Sequence, residues 1–135
     1  MRALILMPAL AIAASAAAAP APITGRWLTE GGKALVEVAP CGQQLCGRIV
    51  RVLKYTPGKP HTDVQNPDAS LRNRPIEGIT ILTGFTAGDD RWRGRIYDPE
   101  SGRNYRSELI AAGNTLQVKG CIAVFCRTQT WARAR

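Results

Sequence analysis

The chain has 135 residues, with 18 basic against 10 acidic side chains and a formal charge of +8. That length suits one domain with a core of ordinary size, and beyond the N-terminus no apolar segment approaches membrane-spanning length. The charge biases encounters toward anionic partners such as lipid head groups, envelope glycans or nucleic acid, without choosing among them.

Met1-Arg2 gives a short positive start, Ala3 to Ala14 is an apolar run interrupted by Pro8, and Ser15 to Ala19 is small-residue. This three-part build predicts a cleavable signal peptide over residues 1–19, cut around Ala16 to Ala19, with residues 20–135 forming a single exported domain. A buried N-terminal helix is the rival reading, but the run has almost no polar face. No Cys follows it, so a lipid anchor is not expected. Removing Arg2 leaves 17 basic against 10 acidic residues, a formal +7. Export also takes nucleic acid off the list of partners.

Trp27 to Glu30 is read as extended, with Gly31-Gly32 as a tight turn. Lys33 to Pro40 alternates, placing Ala34, Val36 and Val38 on one face of a half-buried strand and Lys33, Leu35 and Glu37 on the other. Cys41 to Cys46 closes a hairpin, and Gly47 to Tyr55 returns as an Ile- and Val-rich strand. Thr56 to Pro75 then breaks the pattern with Pro57, Pro60, Pro67 and Pro75. A polar stretch of that length in a compact domain is a functional cover or is disordered. Within it, Asn66-Pro67-Asp68 predicts a capped helical turn over Pro67 to Leu71.

Ile76 to Phe85 reads as an apolar strand, turning at Ala87 to Asp90. Arg91 to Tyr97 sets Arg91, Arg93 and Arg95 against Trp92, Gly94 and Ile96. A turn at Asp98 to Gly102 follows, then Arg103 to Ala111, a turn at Gly113-Asn114, Thr115 to Cys121, and Phe125 to Arg133. About eight antiparallel strands with almost no helix fit a sandwich or a barrel. Gly25-Arg26-Trp27 at one end and Trp131-Ala132-Arg133 at the other decide between them: a cation from the last strand can lie across an indole of the first. The fold expected is therefore all-β, an eight-stranded up-and-down barrel closed by Trp27, Trp131 and Arg133, with the proline-rich loop over one mouth.

Cys41, Cys46, Cys121 and Cys126 allow three pairings. Their twin spacing, four residues inside each pair, favours the local bridges Cys41–Cys46 and Cys121–Cys126 in an oxidising compartment. Loops this short gain only roughly 2 kcal/mol each, so the bridges are expected to fix turns rather than support the fold. A four-cysteine zinc site would want two-residue knuckles and no signal peptide.

No convincing catalytic constellation is present. His61 and Asp63 lie in the loop with no nucleophile beside them, and Asp98 and Glu100 sit in a turn where carboxylates ordinarily solvate or bond the backbone. Metal ligands in a cluster and phosphate-cradling glycine loops are missing from the sequence, and no cofactor is expected. The last strand is more suggestive. If Trp131 points inward, Arg127 and Gln129 do too, and an inward Arg needs either an internal partner such as Glu108 or the carboxylate or phosphate of a ligand. Arg72 and Arg74 in the loop are weighed the same way, as ligand clamp or surface charge. The stripe of Arg91, Arg93 and Arg95 is a solvated, edge-protecting face or a polyanion contact.

Taken as a set, these motifs resemble the bacterial exported domain-of-unknown-function family 2147. The residues that carry the likeness are Gly25-Arg26-Trp27-Leu28-Thr29, Pro40-Cys41-Gly42 with Leu45-Cys46-Gly47, Asp63 with Asn66-Pro67-Asp68, Leu71-Arg72, Arg74-Pro75, Ile96-Tyr97-Asp98-Pro99 with Gly102, and Arg127-Thr128-Gln129-Thr130-Trp131 with Arg133. The resemblance implies a calycin- or lipocalin-like barrel in the periplasm of a Gram-negative bacterium and implies no known reaction. This chain departs from the family's habit at Arg93-Gly94, where Gly-Gly is common, and at Glu77, where an apolar residue or Cys is common.

The function expected is the binding of a small apolar or amphipathic ligand, acidic in one version, with Arg127, Gln129, Arg72 and Arg74 as candidate contacts. The alternative is a filled barrel that binds or inhibits another envelope protein. An enzyme acting on an envelope lipid or glycan ranks third.

Overall fold

The computed structural model describes residues 3–5, 7–13 and 19–135. The cut expected around Ala16 to Ala19 falls on residues 16–18, outside the described residues. Ala3–Ile5 and Met7–Ala13 carry no regular structure, and the apolar side chains there are almost fully exposed.

Eight antiparallel strands follow one another around a closed barrel: β1 Gly25–Leu28, β2 Ala34–Cys41, β3 Gln44–Val52, β4 Thr80–Ala87, β5 Trp92–Asp98, β6 Arg103–Ala112, β7 Thr115–Ile122 and β8 Phe125–Arg133. Each strand pairs with its sequence neighbour, and β1 pairs with β8 through Trp27 opposite Arg133 and Leu28 opposite Ala132. The alternation predicted for β2 holds, with Val36 and Val38 buried and Glu37 outside, because a period of two puts every second side chain on the inner face. Trp27, Val36, Leu82, Phe85, Leu109, Leu116 and Trp131 are among the most deeply buried residues of the core.

Strand boundaries differ from the sequence reading where backbone geometry overrides composition. β4 starts at Thr80 rather than Ile76, since Gly78 has φ of +102° and the Ile79 N–H turns back to the Ile76 carbonyl. At Gly94, a Cβ would lie 2.6 Å from the Thr83 carbonyl oxygen and 2.7 Å from Phe85 Cγ. One glycine there is enough for β4 and β5 to close onto the core. Glu77, whose burial the family resemblance left in doubt, is exposed and accepts the Val52 N–H at 3.0 Å. The helical turn is a single 3₁₀ turn over Ala69–Leu71, starting two residues later than predicted and ending at the same residue. Its cap is Asp68, which accepts from Ser70 N, while Asn66 is buried and accepts the Asp68 N–H with its side-chain Oδ1.

Both local disulfides are formed, Cys41–Cys46 with Cα atoms 5.6 Å apart and Cys121–Cys126 with Cα atoms 4.1 Å apart. They stand at opposite ends of the barrel, because consecutive hairpins of an up-and-down barrel alternate ends. The β2–β3, β4–β5 and β6–β7 turns share one end with Ile23 and Arg133. The β1–β2, β5–β6 and β7–β8 turns share the other end with the long β3–β4 connection. Among the described residues, no helix is long and apolar enough to cross a membrane.

Candidate functional site

The end bearing Ile23 is sealed. Trp27 is fully buried and donates its indole N–H to the Ile23 carbonyl at 2.9 Å, and the Arg133 guanidinium lies 4.1 Å from the centre of its ring. Arg133 also reaches the Thr24 carbonyl at 3.3 Å. Two of the three residues expected to close the barrel, Trp27 and Arg133, thus meet at the β1–β8 seam, and Trp131 is buried on the inner face of β8.

The opposite end opens into a cavity of about 710 Å³. Its deeper wall is apolar, formed by Ile49, Ile81, Ile96, Val118 and Trp131, with Tyr97 and Tyr105 above them. The mouth is polar. Lys33, Lys54, Lys59 and Arg127 line it alongside the carboxylates of Glu30, Asp98 and Glu100. Such a volume, with apolar walls and a few convergent polar groups, falls in the range of small-molecule sites.

Arg127 and Gln129 project from β8 into this cavity, opposite Gly120 and Val118 of β7. Gln129 accepts the Trp131 indole N–H at 3.1 Å through its side-chain oxygen. Glu108 is not the partner of Arg127. It lies outside, where Arg91 donates to it at 2.9 Å, with Arg93 at 3.5 Å and Lys119 at 3.8 Å. Those contacts, the Arg91 hydrogen bond first, hold its carboxyl below the usual range. Arg91 and Arg93 are therefore tied up in an outer-face ion-pair network. Among the described residues, Arg127 has no ion pair.

Arg72 and Arg74, proposed as ligand contacts, do not line the cavity; they hold the loop that covers it. Arg72 donates to the carbonyls of Asn66 at 2.7 Å and Pro67 at 3.4 Å. Arg74 donates to Asp63 Oδ2 at 2.9 Å, and its guanidinium lies 5.8 Å from the Tyr97 ring centre. Asp63 is the centre of this arrangement and the feature that sequence reasoning passed over. Fully buried, it also accepts from Asn66 Nδ2 at 2.9 Å and from the Tyr97 hydroxyl at 2.6 Å on its other oxygen. A buried carboxylate is tolerated because three donors, one of them the Arg74 cation, replace its water. Burial first, then the bond to Asp63, push the Tyr97 phenol up to about 12.

Tyr97 is a barrel strand residue, so this cluster fastens loop to barrel. Gly102 supplies a second fastening. At φ of +72° it lies directly against the Gln65 backbone, and any side chain there would overlap the Gln65 carbonyl. Along the loop, Tyr55 and His61 stack with ring centres 3.5 Å apart, which gives the lone histidine a packing role on the cover. The signal for all this was present in the motif set, where Asp63, Asn66, Arg74, Tyr97 and Gly102 already stood together, but nothing in spacing shows that they meet.

With this geometry in place, the comparisons are specific. The family model described as an uncharacterized protein conserved in bacteria, DUF2147, matches residues 25–133. The chain belongs to this family. The matched span runs from the first barrel strand to the last, so DUF2147 corresponds to the closed barrel together with its covering loop. Among solved structures, this DUF2147 member is similar to protein HP1028 from Helicobacter pylori, described as belonging to the lipocalin family. The two share 20% identity over 84% of each chain, with a TM-score of 0.72. That likeness shows a lipocalin-like fold. No curated protein matches the chain.

Proposed function

We propose that this protein is an exported carrier of a small amphipathic ligand, with an apolar body held between Ile49, Ile81, Val118 and Trp131 and an anionic head at Arg127. The observation that carries this reading is the cavity of about 710 Å³ whose walls are apolar and whose mouth sets Lys33, Lys54, Lys59 and Arg127 beside the carboxylates of Glu30, Asp98 and Glu100. A lipocalin-like barrel is compatible with such a role, and a barrel filled by its own side chains, the starting point of the protein-interaction reading, would leave no such space. Export is supported by the apolar N-terminal run, whose side chains join no core, and by two disulfides, which persist in oxidising compartments. The role is binding rather than catalysis, since the polar groups gathered at Asp63 are satisfied by one another and fasten the loop.

The test is native mass spectrometry of protein prepared without reducing agent. Wild type is expected to carry a bound mass. Arg127→Leu should lose it, or retain it at least about tenfold more weakly, because a charge-assisted contact to an anion contributes roughly 1.5–3 kcal/mol. As Arg127 is exposed, its replacement should change stability by no more than about 0.5 kcal/mol. An Arg127→Leu protein that unfolds, or that keeps its ligand undiminished, removes Arg127 from the binding role.

A further inference from the structure

The β7–β8 turn breaks the rules that the other turns obey. Two-residue hairpin turns favour Asn, Asp or Gly because their central residues need positive φ. The β6–β7 turn uses Gly113-Asn114, and the β2–β3 turn has Gly42 at φ of +66°. Between Ile122 and Phe125, which pair with each other, this turn instead has Ala123-Val124, and Ala123 is held at φ of +50° with no glycine to ease it. The Cys121–Cys126 bridge directly below fixes the turn that its own residues disfavour.

What the turn presents is apolar. Val124 is 86% exposed, Phe125 79% and Ile122 41%. A local rule broken in favour of exposed apolar side chains on a braced support marks a contact surface.

Its surroundings are basic. Arg106, opposite Cys121 on β6, donates a hydrogen bond to the Ala123 carbonyl at the tip itself. Arg95 faces Arg106 across the β5–β6 ladder, and Arg103 and Arg127 line a shallow depression with Ile122 and Phe125. Against these four arginines, the adjoining β5–β6 turn offers the two carboxylates of Asp98 and Glu100. Three apolar side chains cover far less than the roughly 800 Å² per partner of a stable protein interface. They do match the shallow insertion by which a basic, apolar-tipped element enters the head-group region of a bilayer. The depression shares Tyr105, Gly120 and Arg127 with the main cavity, so the tip is also a lip of its mouth.

We propose that the β7–β8 turn is a membrane-docking site, with Val124 and Phe125 entering an anionic phospholipid surface and Arg95, Arg103 and Arg106 meeting its phosphates. The proposal does not depend on the ligand reading, because it needs the exposed tip and its arginines and not an occupied cavity.

The experiment measures co-sedimentation of the chain from Pro20 onward, which contains the whole buried core from Ile23 on, with vesicles. Wild type is expected to partition onto mixed phosphatidylglycerol–phosphatidylcholine vesicles and much less onto pure phosphatidylcholine, with binding that falls as salt rises. The variant Ala123→Asn, Val124→Gly, Phe125→Ser installs a favoured hairpin turn and removes the apolar tip. It should keep the melting temperature yet bind at least about tenfold more weakly, each buried apolar side chain being worth that order. Phe125→Ser alone, at an exposed site, should weaken binding several-fold and serves if the triple variant misfolds. Absence of wild-type binding to the anionic vesicles, or equal binding by the variants, overturns the proposal. So does sedimentation equilibrium showing a wild-type dimer that the triple variant loses, because the tip would then belong to a second copy.

Discussion

The two ends of this barrel are closed by different kinds of chemistry. At one, Trp27 is buried under Arg133 and belongs to the same apolar cluster as Phe85, Leu82 and Trp131. At the other, a connection from Val52 to Thr80 lies over a cavity and is fastened through a polar cluster, Asp63 with Tyr97, Asn66 and Arg74. Apolar packing is non-directional and shared by many contacts, so the sealed end cannot open without loosening the core. A hydrogen-bonded clasp depends on a few geometries and on a few protons. It can release while the barrel stays folded. The disulfide hairpins repeat the contrast. Cys41 to Cys46 encloses Gly42, Gln43, Gln44 and Leu45 at the sealed end, whereas Cys121 to Cys126 encloses Ile122, Ala123, Val124 and Phe125 at the mouth.

Three measurements press on this difference. Trp27→Ala should have the largest effect, about 3–5 kcal/mol by denaturant unfolding without reductant, because a fully buried indole leaves a cavity that the surrounding strands fill only in part. If Trp27→Ala instead left global stability unchanged and made the loop freshly protease-sensitive, the two ends would have to be exchanged in this account.

Tyr97→Phe comes next, at about 1–3 kcal/mol, since it leaves one oxygen of buried Asp63 without its donor. Its signature is a pH dependence. The folded-state phenol lies at about 12, above the value of about 10 for an unfolded tyrosine. The folded state therefore holds the proton more tightly, and the contribution is complete below about pH 10 and disappears as pH rises through about 12. Wild type should lose stability over that window more steeply than Tyr97→Phe, with proteolysis between Thr56 and Pro75 rising in step. Parallel curves for the two proteins would show that the clasp does not run through Tyr97.

Arg133→Leu should cost least, about 0.5–1 kcal/mol, the contribution of a cation lying over an indole near the surface. It should leave the cavity and its ligand untouched, because Arg133 lies at the sealed end. Loss of bound mass in this variant would link the two ends.

Much of this architecture was legible before folding. Period-two alternation at Val36 and Val38, turn residues at Gly113-Asn114, and the matching cysteine spacings are local signals, and local signals suffice for an up-and-down barrel in which every strand pairs with its neighbour. The tryptophans at the two ends added the one long-range inference, closure, because a ring and a cation make a pairing that sequence can suggest. The inward direction of Arg127 and Gln129 followed from alternation with Trp131. What the loop residues do was less accessible. Arg72 and Arg74 were expected at the ligand because a loop arginine has no periodicity to say which way it points. Asn66 was expected as a cap, although Asp68 two positions later takes that role.

The sequence by itself determined the number of strands, their order, the bridges and the seam, since each depends on residues adjacent in the chain or on a distinctive pair. Only the tertiary structure decided that Asp63, Asn66, Arg74 and Tyr97 converge, that a cavity remains beneath them, and that an apolar turn stands at its lip. Those outcomes depend on how far opposite walls of a closed sheet are held apart and on where an irregular loop finds partners for its buried polar groups, and neither quantity is encoded in any single stretch of chain.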